Sequence, residues 1–259
     1  MVSPLIGREA GTKGEKEIFF NFHFVPASVS PPRIQLFPFM LPDLHPLQLS
    51  LWVAAGALLL ALPLGIGAAL ALRGRDFWGK TLLESLFLLP LVLPPVVTGL
   101  VLLWLLGKRG PIGKLLLGAG FQILFSPSAA VLASAIVAFP LIFQSARAAF
   151  AGVDSQLEDA GRALGAAPSR AFWTITLPLA WPGLVMGATL AFARALGEFG
   201  ATVMVAGNVS GRTLTAPVAI YFASEDGDLS RAAFYAVLLG LTNFAFLLAV
   251  SALGKRSSS

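Results

Sequence analysis

Two short stretches of this 259-residue chain set charged residues against an apolar background in patterns that could do chemistry. Arg194 and Glu198 lie inside an otherwise uncharged apolar run, 182–206, and residues 158–178 (EDAGRALGAAPSRAFWTITLP) interrupt the apolar sequence with charge, glycine and alanine. A charge at membrane depth costs about 2.5–3.5 kcal/mol, so it faces a bundle interior and takes a partner. Arg194 and Glu198 are spaced i, i+4 with the cation first, the weaker order. They read either as a self-satisfied pair that fixes helix rotation or as a border of an anion path, where Arg194 attracts a dianion and Glu198 keeps that attraction weak enough for release. Other chemistry is scarce. The chain has no Cys, and its two histidines, His23 and His45, both precede the first long apolar run, so no metal site is expected.

The elements that must position these residues are membrane helices. Hydrophobic residues make up 56% of the chain and charged ones 12%, against about 25% charged in soluble domains. The net charge of +5 is scattered between apolar runs rather than gathered on one face, which argues against nucleic acid and for loop charges. A bilayer core of about 30 Å needs roughly 20 apolar residues. Five runs meet that length, at about 46–72, 85–107, 128–149, 182–206 and 232–253, and predict an all-α polytopic membrane domain over 46–253. The stretch 111–126 reads as an interfacial or re-entrant connection, 214–223 as a shorter dip, and 254–259 as a tail. Residues 1–45 are expected to form a poorly ordered tail. Six prolines from Pro26 to Pro46 break any helix long enough to span, and Met40 marks an alternative start.

Pro90, Pro94 and Pro95, followed by Thr98 and Gly99, predict a kink in the second span, which either lines a cavity or packs against neighbours. Runs of small residues such as Gly183 to Gly187 mark close helix contact. Between the third and fourth spans, Asp154 and Ser155 are N-cap types, Glu158 and Asp159 fall in the first turns, Glu158 and Arg162 pair at i, i+4, and Gly165 terminates. Pro168 opens a second short helix that Pro178 and Pro182 are expected to end. Taken alone, this segment is either an interfacial loop or a knob for a soluble partner.

The same segment resembles the EAA loop of bacterial ABC importer permeases: E-A-A, three residues, G, nine residues, I-x-L-P. Asp159-Ala160-Gly161, Gly165 and Ile175-Thr176-Leu177-Pro178 fall in that register over 20 residues. Asp159 replaces the usual Glu, and Gly161 the usual second Ala. Over about 46–253 the chain is similar to the molybdate group, through LPLVLPPVVTGLVLLWLLGKRGPIG (89–113), AFARALGEFGATVMVAGN (191–208) and GRTLTAPVAIY (211–221), with Gly197-Glu198-Phe199-Gly200 pointing most to molybdate.

The resemblance implies a type I importer bundle that works as a homodimer. It implies two ATP-binding cassette subunits docked on Glu158–Arg162, Gly165, Ile175, Leu177 and Pro178, and an extracytoplasmic oxyanion-binding protein. Pro95, Thr98, Arg194, Gly197 and Glu198 would line the path or gate. No GxxxxGK[ST] phosphate loop occurs, so ATP and magnesium would be bound by the partner, leaving this subunit without a cofactor or catalytic residues. The cytoplasmic membrane of a bacterium is the expected location. Lys and Arg divide eight to nine between the two sides, or eight to five without the residues before Met40, which favours a cytoplasmic C-terminus. Sulfate or thiosulfate is the alternative cargo. A secondary transporter would show inverted repeats, and an intramembrane enzyme would show paired carboxylates.

Overall fold

A computed structural model describes residues 43–209 and 211–256, with side chains to residue 252. The tail expected over the first 45 residues and the alternative start at Met40 therefore fall almost wholly outside the described residues.

The first apolar run forms α1, His45–Leu72. Lys80–Val92 (α2) and Pro95–Leu106 (α3) follow, then the short α4, Pro111–Gly118, and the long α5, Pro127–Ala151. Ser155–Ala163 (α6) and Pro168–Ala171 (α7) lead through a π turn, Phe172–Thr176, into α8, Leu177–Leu196. Gly200–Val205 (α9), Ala216–Glu225 (α10) and Leu229–Arg256 (α11) complete the described residues. Four helical stretches are long and apolar enough to cross a membrane: 45–72, 127–151, 168–196 and 229–252. The pair α2 and α3 makes a fifth if its bent legs count as one crossing.

Three expectations are corrected. The run 85–107 is not one continuous helix but two helices meeting at 110°. Pro94 and Pro95 have no N–H, and Leu93, which precedes a proline, is held extended at ψ 141°. The run 182–206 is likewise two helices, because α8 stops at Leu196 and α9 begins at Gly200. Pro178 and Pro182 do not end the helix that Pro168 starts; the chain stays helical from 168 to 196. Pro178 cannot donate to the carbonyl four residues back, and the turn widens there instead, with Leu177 N–H donating to Phe172 O.

Small residues pack the bundle. Ala54, Ala57 and Ala61 of α1 meet Ala135, Ala138 and Ile142 of α5 and Ala191, Ala195 and Leu196 of α8 in one buried cluster. Lipid tails are as apolar as leucine, so helices associate by close van der Waals contact, which small side chains permit. At Gly65 of α1 a Cβ would stand 2.7 Å from Ile142 Cγ2, a separation that only glycine allows. The large apolar residues go outward: Val237, Leu241, Phe244 and Leu248 form an exposed stripe along α11. A second cluster joins Leu102 and Leu106 of α3 to Ala201 and Val205 of α9 and Ala129 to Val137 of α5.

Candidate functional site

The segment 154–178 folds as a capped helix braced from behind. The Asp154 carboxylate accepts the Gln156 N–H at 2.9 Å, so Asp154 is the cap and Ser155 the first helical residue. At the other end Gly165 takes φ +86°, Gly165 N–H donates to Arg162 O at 2.9 Å, and Ala166 N–H donates to Gly161 O at 3.1 Å. This paired pattern satisfies the last carbonyls and depends on the left-handed glycine. A Cβ at Gly161 would stand 2.7 Å from Ile175 Cδ1, so α6 lies against the π turn at this point.

Glu158 is the joint. Its Oε1 accepts from Arg73 Nη2 at 2.7 Å and from the Thr176 hydroxyl at 2.6 Å, tying α6 both to the end of α1 and to the π turn. The expected Glu158–Arg162 pair is present but looser, at 3.7 Å. Arg162 also approaches Asp159 at 3.4 Å. The Thr176 hydrogen bond, with the bond and charge of Arg73 and the charge of Arg162, holds the Glu158 carboxyl below its ordinary value, although partial burial pushes the other way. Ala160 is exposed, Leu177 half-buried and Pro178 exposed. Leu157 is 47% and Leu164 90% exposed, and nearby Trp173 is 65% exposed. Leu157 on α6, Leu164 just past its end and Trp173 in the π turn are thus left uncovered by the described residues of this chain.

Arg73 and Thr176 were not singled out by sequence. Arg73 reads as the charge that stops the first span, and the 85 residues separating it from Glu158 hide the pairing.

The second group sits where the two broken runs meet. Arg194 occupies the last turn of α8, where the helix dipole favours a cation, and its Nη1 lies 2.7 Å from Glu198 Oε2. The other Glu198 oxygen accepts the Ala201 N–H at 2.8 Å. The pair therefore bridges a helix break instead of lying along one helix. Glu198 is only 1% exposed and also caps the start of α9, while Arg194 is 31% exposed. Gly197, at φ −89°, is the first residue past α8.

Glycine brings this break against the Pro94–Pro95 break. A Cβ on Gly200 would stand 2.9 Å from Pro95 Cβ and 3.1 Å from Val96 N, and one on Gly99 would stand 2.9 Å from Ala201 Cα. Residues 95, 98, 197 and 198, singled out separately, thus belong to one junction of α3, α8 and α9. The hydroxyls of Thr98 and Thr202, both buried in this helix pair, have no hydrogen-bond partner among the described residues. No cluster of His, Asp and Glu that could hold a metal occurs among the described residues.

Comparison with known proteins follows the same lines. The family profile described as "Binding-protein-dependent transport system inner membrane component" matches residues 61–259. The chain is 50% identical over 181 residues to the molybdenum transport system permease protein ModB of Escherichia coli K12, covering 70% of this chain and 79% of that one. It is 44% identical over 204 residues to the protein of the same name from Haemophilus influenzae, covering 77% and 89%. A probable sulfate transport system permease protein from Chlorella vulgaris is 36% identical, covering 76% and 78%. Among solved structures, a bacterial ABC transporter involved in import of the acidic polysaccharide alginate superposes with a TM-score of 0.70 at 15% identity, covering 83% and 80%. At that identity the likeness bears on fold alone.

Proposed function

Because the chain belongs to the family of inner-membrane components of binding-protein-dependent transport systems, we propose that it carries molybdate, or its congener tungstate, into the cell as the permease subunit of an ATP-driven importer. Identities of 50% and 44% to molybdenum permeases, against 36% to a sulfate permease, support this cargo.

The observation that carries the mechanism is the braced helix α6. A helix of nine residues, capped at both ends and locked by Glu158 to Arg73 and Thr176, still leaves Leu157 and Leu164 uncovered. It serves as the docking knob for an ATP-binding cassette subunit on the cytoplasmic side, and the C-terminus shares that side. Two copies of this chain pair about the path, each held by one ATPase subunit, and an oxyanion-binding protein delivers cargo from outside. ATP and magnesium belong to the ATPase subunits, and this chain performs no covalent step.

Closure of the ATPase dimer draws the two α6 helices together and rocks the bundles, a shift possible because the two states bind the ATPase differently. The junction of α3, α8 and α9 lines the path, with Arg194 supplying favourable potential for the dianion and the Glu198 carboxylate offsetting it.

Vesicles holding the assembled complex, supplied with the binding protein and radiolabelled substrate, test the reading. Molybdate should accumulate in preference to sulfate and only with ATP inside the compartment that faces α6. Preferential uptake of sulfate would reassign the cargo, and uptake abolished by a proton uncoupler while ATP stays high would reassign the class.

A further inference from the structure

A second charged region lies away from the junction just described. Arg73 at the end of α1, Lys80 and Glu84 of α2 and Arg147 of α5 line a cavity of about 260 Å³ together with Ala69, Leu72 and Phe150. Three cations face one lining carboxylate. Arg147 Nη1 holds Glu84 at 2.7 Å, Lys80 reaches only the fully exposed Asp76 at 3.3 Å, and Arg73 is shared with Glu158. The cavity opens at the end of the bundle that carries α6.

The same three helices line a second hollow. Leu60 and Leu64 of α1, Leu86 and Pro90 of α2, and Ile136 and Phe139 of α5 border an apolar crevice of about 320 Å³. Phe87 packs edge-on against Phe139 at 5.4 Å and closes its inner wall. Along α1, Leu64 and Leu60 are nine and thirteen residues from Arg73, or about 14 and 20 Å at 1.5 Å per residue. The nearer depth matches one leaflet of the hydrocarbon core, about 15 Å, and the farther reaches just past it. All three helices carry the same order: charge at the membrane surface, then an apolar groove one acyl chain deep.

We propose that the groove between α1, α2 and α5 is a binding site for an anionic phospholipid, its headgroup phosphate on Arg73, Lys80 and Arg147 and one acyl chain in the crevice. The cations set the choice of an anionic headgroup, as basic pockets between membrane helices do. The crevice sets the choice of a lipid over a free anion. The site rests on the membrane placement proposed above but not on the cargo. Arg73 gives it a consequence, since the guanidinium that meets the headgroup also holds Glu158, linking the charge of the inner leaflet to α6.

The test uses the intact complex in nanodiscs of phosphatidylcholine containing one-quarter phosphatidylglycerol, with retained lipid counted by native mass spectrometry. The wild type should retain phosphatidylglycerol in preference to phosphatidylcholine. Lys80→Gln, which strands no buried charge, should lower that preference by about fivefold, and Leu64→Trp should lower retention of both lipids. Equal retention of the two lipids by wild type, or an unchanged preference in Lys80→Gln, would overturn the proposal. So would displacement of the lipid by inorganic phosphate with Leu64→Trp without effect, which marks a small-anion site only. Lipid counts need neither ATP nor substrate, so a failure to transport molybdate leaves this result independent.

Discussion

Arg73 Nη2 and Glu158 Oε1 stand 2.7 Å apart, joining the end of the first membrane helix to a short helix 85 residues later. Both side chains are less than one-third exposed, and the Thr176 hydroxyl completes the carboxylate's partners. The pair fixes where α6 stands relative to the bundle. In a double-mutant cycle with Arg73→Ala and Glu158→Ala, a coupling energy of about 1 kcal/mol is expected in the thermal unfolding of the assembled complex. Strict additivity would show that the bond does not hold the helix. ATP hydrolysis should persist in Glu158→Ala while transport per ATP falls.

The depressed pKa of Glu158 gives this bond a pH signature. A carboxyl held lower in the folded state than its ordinary value of about 4.5 stabilises the fold at neutral pH, and that contribution is lost as pH falls from there through the folded value. The wild type should therefore lose stability in this acidic window more steeply than Glu158→Gln. Parallel melting profiles of the two would contradict the assignment.

Gly161 is small because Ile175 lies on it. Since the obstructing atom is the far methyl of a flexible side chain, Gly161→Ala should be tolerated, with less than about 1 kcal/mol lost. Gly161→Leu cannot be accommodated so easily and should reduce co-purification of the ATPase subunit several-fold.

At the junction the obstruction is backbone and a proline ring, which cannot move aside. Gly200→Ala should cost about 1–3 kcal/mol and depress transport. Gly67→Ala of α1 is the matched control, because a Cβ there meets nothing within 4 Å. Equal effects of the two substitutions would remove the argument for close packing of α3 on α9.

Arg194 separates a path role from a structural one. Arg194→Ala alone leaves the buried Glu198 without its cation, so the informative variant is Arg194→Ala with Glu198→Gln, in which an amide oxygen can still accept the Ala201 N–H. Assembly should survive while molybdate uptake falls about tenfold or more. Loss of both in proportion would make the pair purely structural.

Sequence disclosed the apolar runs and α6 well, because hydropathy, the Asp154 cap and Gly165 are local signals that no distant residue has to complete. It failed at the ends of things. Nothing in LGEFGA says that α8 will stop at Leu196 and that Glu198 will reach forward to accept the Ala201 N–H, since Arg194 and Glu198 at i, i+4 suit an unbroken helix equally. The prolines were legible as a kink, but not as a 110° bend, nor as a bend packed against Gly200, a residue more than 100 positions away. Pro178 misled for the opposite reason: a proline breaks an α turn but is accommodated by a π turn, and no residue type announces one.

The wide turn at Phe172–Thr176 has a mechanical meaning. Had the chain ended its helix at Pro178, α6 would hang from a hinge and its movement would dissipate in the linker. Because helix continues from residue 168 to residue 196, a rod of roughly 43 Å runs from the seat of α6 to Arg194 at the junction. Under the docking proposed for α6, a displacement at its seat would be carried to the junction, because the proline that reads as a break leaves the rod whole.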